Sequence, residues 1–374
     1  MTLPSSVPHI GALASGTHDA ITDVAGVTVG HCTLDEGALQ TGVTVIRPHG
    51  GDCYRARVPA AAVVINGFGK STGLMQLQEL GQIDTPIALT NTFSVPAVAQ
   101  AQIRQCIAAN PRCGRGQDTV NPLVLECNDG FLNDIQRMAI TGEHYQRAFD
   151  SAGVPFAQGS VGAGRGMSCF GLKGGIGSAS RIVAVRPGVN YTLGALVLAN
   201  FGKPEQLLWA GDRLGARLAA QAAQSEQPAT MARTTQTAAD TPDSQFVPAA
   251  GPRPEQGSII MLLATDAPLD ARQLRRLALR AGAGLARTGS VFGHGSGDVA
   301  LAFSTAYTLP QDPLRPMPAV AMLHEALLDA LFQAAADGTE QAILHALWHA
   351  SSVTGRDGNR REALRALAAT WGQC

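Results

Sequence analysis

Apolar residues along this chain gather into short runs broken by glycine, proline and asparagine, and those runs alternate with stretches of helical spacing. That order is what an α/β protein requires. Residues 60–66 (Ala-Ala-Ala-Val-Val-Ile-Asn) are continuously apolar and turn β-branched at their end, the pattern of a strand buried on both faces. Residues 87–93 read the same way, and 42–47, 182–186, 191–199 and 299–304 predict further strands. Residues 17–31 alternate loosely and predict a short strand pair. Helices are expected over 95–108, where Pro96 sits in the first turn, and over 204–221. Another begins at the N-cap Asp270 and puts Leu274, Leu277 and Ala281 on one face; 319–336 and 340–351 complete the set.

The glycine-rich breaks invite two ligand readings that the spacing does not support. Gly67–Gly73 follows a strand but does not match the phosphate-loop spacing. Residues 161–166 carry a Gly-x-Gly-x-Gly pattern without the preceding strong strand and opening helix of a dinucleotide fold, so a hairpin or close-approach loop is the better reading. Residues 225–256 are rich in Ala, Thr, Gln, Pro and Asp, bury little, and read as a mobile linker.

Composition narrows the function classes. With 45% hydrophobic and 15% charged residues the chain is globular, and a formal net charge of -1 with no Lys/Arg block argues against nucleic acid or an anionic membrane as partner. No apolar stretch reaches the roughly 18 residues of a membrane span, and the first residues lack a basic and apolar leader, so a cytoplasmic location is expected. Seven widely spaced cysteines without a Cys-x-x-Cys pair suggest reduced thiols. His345 and His349 stand one helical turn apart but lack a His-Glu-x-x-His core, so neither a metal nor any other cofactor is expected.

The candidate chemistry lies where the polar linker gives way within one residue to the apolar run Ser258-Ile-Ile-Met-Leu-Leu-Ala264. If the Gly257–Ser258 bond is cut, Ser258 supplies both a hydroxyl nucleophile and an α-amine of ordinary pKa near 8, able to act as its general base. Glycine on the acyl side suits attack by that hydroxyl, which a Cβ would obstruct through a strained backbone. A turn opening a strand would use the same dipeptide. Elsewhere, Glu126 ends the apolar run 123–127. A buried carboxylate needs a cationic partner, either a Lys or Arg of the protein or an ammonium on a ligand.

Several stretches together resemble one family, the DmpA-type aminopeptidases, comprising L-aminopeptidase D-esterase/amidases and β-aminopeptidases. They are residues 21–31, 85–92, 128–135, 166–181, Asn200-Phe-Gly202, Gly257-Ser-Ile-Ile260, Gly295-Ser-Gly-Asp298 and Thr354-Gly-Arg-Asp-Gly-Asn359, in family order. The resemblance implies a single four-layer αββα sandwich over 1–374 and self-processing into an α chain 1–257 and a β chain 258–374. It further implies release of N-terminal residues from small peptides, amides or esters through an acyl-enzyme. Ser258 would be the nucleophile and Asn200 the oxyanion donor. Ser296 and Asp298 would hold the nucleophile and its α-amine, and Glu126 would receive the substrate's ammonium. Homo-oligomers of processed αβ heterodimers are implied as well.

Two features depart from the family pattern. Phe68 and Lys70, followed by an extra Ser71, occupy a loop that is usually Asn- and Glu-bearing, which alters side-chain preference there. The acid at 298 is the shorter Asp where some members have Glu. His294, beside the site, reads as a loop histidine. Two other functions compete: an N-acyltransferase related to ornithine acetyltransferase, and a non-catalytic binding protein on the same fold.

Overall fold

The computed structural model describes residues 4–225 and 256–371, so the expected linker lies outside the described residues apart from its end positions. In chain order the main elements are β1 (Thr28–Glu36), β2 (Leu39–Arg47), β3 (Ala56–Gly67), α1 (Leu74–Leu80), β4 (Ile87–Asn91), α2 (Val95–Ala109), β5 (Leu123–Cys127) and α3 (Gly142–Asp150). There follow β6 (Gly175–Arg186), β7 (Val189–Asn200), α4 (Leu214–Ser225), β8 (Gln256–Thr265), α5 (Ala271–Arg287), β9 (Gly295–Ser304), α6 (Leu328–Trp348) and α7 (Leu364–Trp371).

The strands form two sheets. One has the order β1-β2-β4-β5; the other runs β3-β9-β8-β7-β6, extended beyond and beside β3 by the short strands Leu309–Pro310 and Gln82–Ile83. Strand alternation explains the layering. Ile259, Met261 and Leu263 of β8 point into a core shared with Leu274, Leu277 and Ala281 of α5 and Leu331, Ile343 and Leu347 of α6. Ile260, Leu262 and Ala264 point the other way, into a core closed by Ile87, Leu89, Leu123 and Leu125 of the opposite sheet. The outer face of that sheet, through Val43, Val45, Ala88 and Val124, packs on Val95 and Val98 of α2 and Tyr145 and Ala148 of α3. Three cores thus separate four layers, α-β-β-α, as the sequence resemblance implies. Each fully buried Leu or Ile contributes on the order of 1.5–3 kcal/mol.

Some element expectations change. The strand pair sought within 17–31 is instead β1 paired with β2, preceded by a 3-10 turn at Ile21–Asp23. The helix expected from 204 begins at Leu214, because a tight turn with positive φ at Ala210 (49°) and Gly211 (84°) interrupts it. The two C-terminal helices are one, α6. The expected gap between 336 and 340 is absent: Gly338 lies inside the helix, facing β7, where a Cβ would make an ordinary 3.5 Å contact with that of Ala195. The glycine-rich stretch after 159 holds a 3-10 turn and a two-residue hairpin, then becomes β6. There Gly177 allows α6 to approach so closely that a Cβ would stand 1.9 Å from the Ala342 carbonyl oxygen.

Candidate active site

The connectivity gathers four strand ends at one edge of the larger sheet. β8 and β9 are parallel and joined through α5, so both start at the same edge, while antiparallel β3 and β7 end there. The registers are specific. Ser258 faces Asn200 across the β8–β7 pair and Gly297 across the β8–β9 pair. Ser296 and Asp298 flank Gly297, opposite Gly257 and Ile259. Residues 200, 257, 258, 296 and 298, read from the sequence as candidates, therefore converge, and Ser258, Asn200, Ser296 and Asp298 are all buried.

Hydrogen bonds hold Asn200, Ser296 and Asp298. Ser296 Oγ donates to Asp298 Oδ1 at 2.5 Å. Asn200 accepts the Ser168 N–H on Oδ1 at 2.8 Å and donates through Nδ2 to the Asn128 carbonyl at 2.9 Å. The amide is thereby fixed, and its second N–H remains a donor beside the nucleophile. Cys127, at the end of β5 in the opposite sheet, lies within reach of the Ser258 side chain. Its own thiol donates to the Leu198 carbonyl at 3.6 Å. Burial pushes that thiol well above the usual range, and the carboxylates of Glu126 and Asp298 add to the rise.

At the second position of β8, Gly257 meets a close approach. Its φ lies outside the left-handed region. The requirement is steric: a Cβ would lie 2.5 Å from the Asn200 carbonyl oxygen and 2.8 Å from Phe201 Cα.

Glu126 approaches from β5. It is 3% exposed, accepts the Lys70 backbone N–H on Oε1 at 2.7 Å, and accepts the Thr92 hydroxyl on Oε2. Among the described residues no Lys, Arg or His nitrogen forms an ion pair with it. A carboxylate can accept about four hydrogen bonds, so half its capacity remains. Of the two partners left open by the sequence, the described residues supply no cation.

Three contributors escaped the sequence reading. Asn66, the register partner of Asp298, donates through Nδ2 to the carbonyls of Gly293 and Ser296, both at 2.7 Å, and so shapes the turn before β9. Lys173 is fully buried, and its ammonium donates to the carbonyls of Gly164, Met167 and Gly174 at 2.8–2.9 Å, clamping the loop whose Ser168 N–H orients Asn200. Burial holds its pKa well below the ordinary lysine value. Asp129 is buried beside Asn128 and has one oxygen bonded to Asn133 Nδ2 at 3.0 Å; burial raises its pKa to about 7. Only Asn66 left a signal, a polar residue closing an apolar strand.

The histidines singled out in the sequence make other contacts. His345 and His349 pack edge to face with ring centroids 5.6 Å apart, and His345 Nδ1 meets the Ser178 carbonyl at 2.7 Å. Among the described residues no group of His, Cys, Asp or Glu has a metal-binding arrangement, and no helix is long and apolar enough to cross a membrane. His294 lies against Phe68, centroids 6.3 Å apart, at the rim of the site.

Known proteins resemble this chain over nearly its whole length. The model of peptidase family S58 matches residues 19–361. The chain is 40% identical to the β-peptidyl aminopeptidase BapA of Sphingosinicella microcystinivorans, over 94% of this chain and 86% of that one. A Burkholderia sp. β-aminopeptidase structure superposes with TM-score 0.81 and 40% identity, covering 96% of this chain and 95% of the other. The L-aminopeptidase D-Ala-esterase/amidase of Ochrobactrum anthropi, described as a variant of the Ntn hydrolase fold, superposes with TM-score 0.79 and 32% identity over 99% and 97% of the two chains.

Proposed function

Because the chain belongs to peptidase family S58 and is an aminopeptidase of the Ntn-hydrolase type, we propose that it matures by cutting its own Gly257–Ser258 bond and then works through Ser258. In maturation the Ser258 hydroxyl attacks the Gly257 carbonyl carbon, the C–N bond breaks, and the resulting ester is hydrolysed by water. The products are an α chain 1–257 ending in a carboxylate and a β chain 258–374 beginning with a free α-amine. In turnover the hydroxyl attacks the scissile carbonyl, the α-amine takes its proton and passes it to the leaving amine, and water releases the acyl group. Asn200 donates to the oxyanion, and Ser296 with Asp298 holds the α-amine.

One observation supports the aminopeptidase role of the site: near the register-aligned pair Asn200 and Ser258, Glu126 is buried without a cationic partner among the described residues. A substrate's N-terminal ammonium supplies the missing charge, and an internal peptide bond cannot. The substrates are therefore small peptides, amides or esters with a free amino group. Neither the N-acyltransferase nor the non-catalytic alternative is favoured by the relatives. A cytoplasmic location is supported by six free, buried cysteines among the described residues. Assembly of processed heterodimers into an oligomer is supported by exposed Leu314, Met317 and Met322, and light scattering tests it.

The decisive experiment is the intact mass of fresh wild-type protein beside Ser258→Ala. Two fragments, with the smaller starting at Ser258 and both absent from the variant, are expected, together with hydrolysis of aminoacyl p-nitroanilides but not of their N-acetyl derivatives. A single inert full-length species in both would overturn the reading.

A further inference from the structure

The loop Gly67–Lys70 leaves β3 at the site edge and spans the distance between the nucleophile and the ammonium site. Near its start, Phe68 N–H donates to the Ser296 carbonyl at 3.3 Å. In its middle, Gly69 crosses Gly297, the register partner of Ser258, so closely that a Cβ on Gly297 would stand 3.2 Å from Gly69 Cα. At its end, the Lys70 N–H reaches Glu126 Oε1 at 2.7 Å. A substrate whose ammonium sits on Glu126 and whose carbonyl sits at Ser258 must lay its first residue along this loop.

The Lys70 ammonium does not pair with Glu126, although its own backbone does. It folds back over the Phe68 ring, 4.4 Å from the centroid, and meets the Phe68 carbonyl at 3.4 Å. Both side chains are exposed, Phe68 by 56%. The ring thus holds a cation at the rim while the buried carboxylate stays open below, and no acidic side chain forms an ion pair with Lys70 among the described residues.

From this arrangement, and resting on the aminopeptidase reading above, we infer that Lys70 is a specificity-determining residue that selects first residues bearing a carboxylate near their ammonium, namely aspartyl and β-aspartyl acyl groups. Such an acyl group presents an ammonium to Glu126 and a carboxylate to Lys70. A lysyl first residue would place a second cation against Lys70 and be disfavoured.

The test compares kcat/KM for aspartyl, β-aspartyl, asparaginyl and lysyl p-nitroanilides in wild type, Lys70→Met and Lys70→Glu. An exposed to partly desolvated ion pair corresponds to about 3- to 10-fold. Wild type should favour at least one of the two acidic substrates over asparaginyl by that factor, with the margin shrinking in high salt. The two acidic substrates distinguish an α- from a β-linked carboxylate. Lys70→Met should erase the margin and Lys70→Glu should reverse it toward lysyl. An acidic-to-neutral ratio at or below one in wild type, or one unmoved by either substitution, overturns the inference. Hydrolysis of the neutral asparaginyl substrate separates that outcome from failure of the aminopeptidase reading, which would abolish all four activities.

Discussion

The thiol of Cys127, at the end of a strand in one sheet, lies within reach of the hydroxyl-bearing side chain of Ser258 in the other. With the Cys127 S–H given to the Leu198 carbonyl, the sulfur is an acceptor for the Ser258 O–H. An O–H donated to that sulfur would favour one rotamer of the nucleophile. Cys127→Val fills similar space without the acceptor and is expected to slow self-cleavage and kcat about 10-fold, the worth of one hydrogen bond. Cys127→Ser retains a polar partner and should stay nearer the wild-type rate. The reverse ranking, in matched rate measurements with melting temperatures recorded for both, would mean that the thiol serves packing alone.

Gly257→Ala brings a Cβ against the carbonyl oxygen of Asn200 at 2.5 Å, a distance that forces the strand ends apart. A displacement approaching 1 Å at the scissile bond can cost on the order of 100-fold in rate. The variant should fold yet process that much more slowly, as followed by the loss of full-length chain on a denaturing gel. Processing at the wild-type rate would show that β7 yields without consequence.

Asn200 and Glu126 should separate in kinetics because one meets developing charge and the other meets charge already present. Asn200→Ala is expected to lower kcat by about 100- to 1,000-fold with little change in KM. Glu126→Gln removes a charge-assisted bond worth about 1.5–3 kcal/mol, so kcat/KM should fall roughly 10- to 150-fold, mainly through KM. Both are read in processed enzyme, obtained by allowing cleavage to finish first. Equal effects on the two parameters in both variants would contradict the assignment of roles.

Asp129 predicts a pH dependence of stability with a definite sign. Its folded pKa of about 7 lies above the ordinary carboxylate value, so between those limits the folded state holds a proton that the unfolded state has lost. The contribution is therefore complete below about pH 4 and is lost as pH rises toward 7. Asp129→Asn, which stays neutral, should raise the denaturation midpoint at pH 8 relative to wild type more than at pH 4.5. An identical shift at both pH values would exclude a titrating carboxyl.

Much of the fold was legible because burial leaves its mark on residue type. The continuous run 60–66 and the apolar stretch after Ser258 are strands covered on both faces, and the alternation of Ile259 through Ala264 already divides two cores. The nucleophile and its neighbours were recognised from short motifs, and the registers bring those motifs together. What stayed hidden depends on distant pairing. Nothing local tells that Lys173 is fully buried among three carbonyls, or that Cys127 meets Ser258 from another sheet. The helix break at 210–211 was missed because a left-handed Ala carries no residue-type signature. The gap expected between 336 and 340 misled in the opposite direction, since a single glycine, Gly338, inside an apolar helical run does not end the helix.

The strand order of the larger sheet has a further consequence for a chain nicked before Ser258. β8 and β9 would belong to the new C-terminal piece, yet they lie between β3 on one side and β7 and β6 on the other, all from the N-terminal piece. Each fragment alone would be a sheet missing its middle or its flanks. The nicked protein should hold together under native conditions but melt into two separate chains. Its refolding would then be second order and dilution-sensitive, whereas the uncut chain refolds as a single molecule.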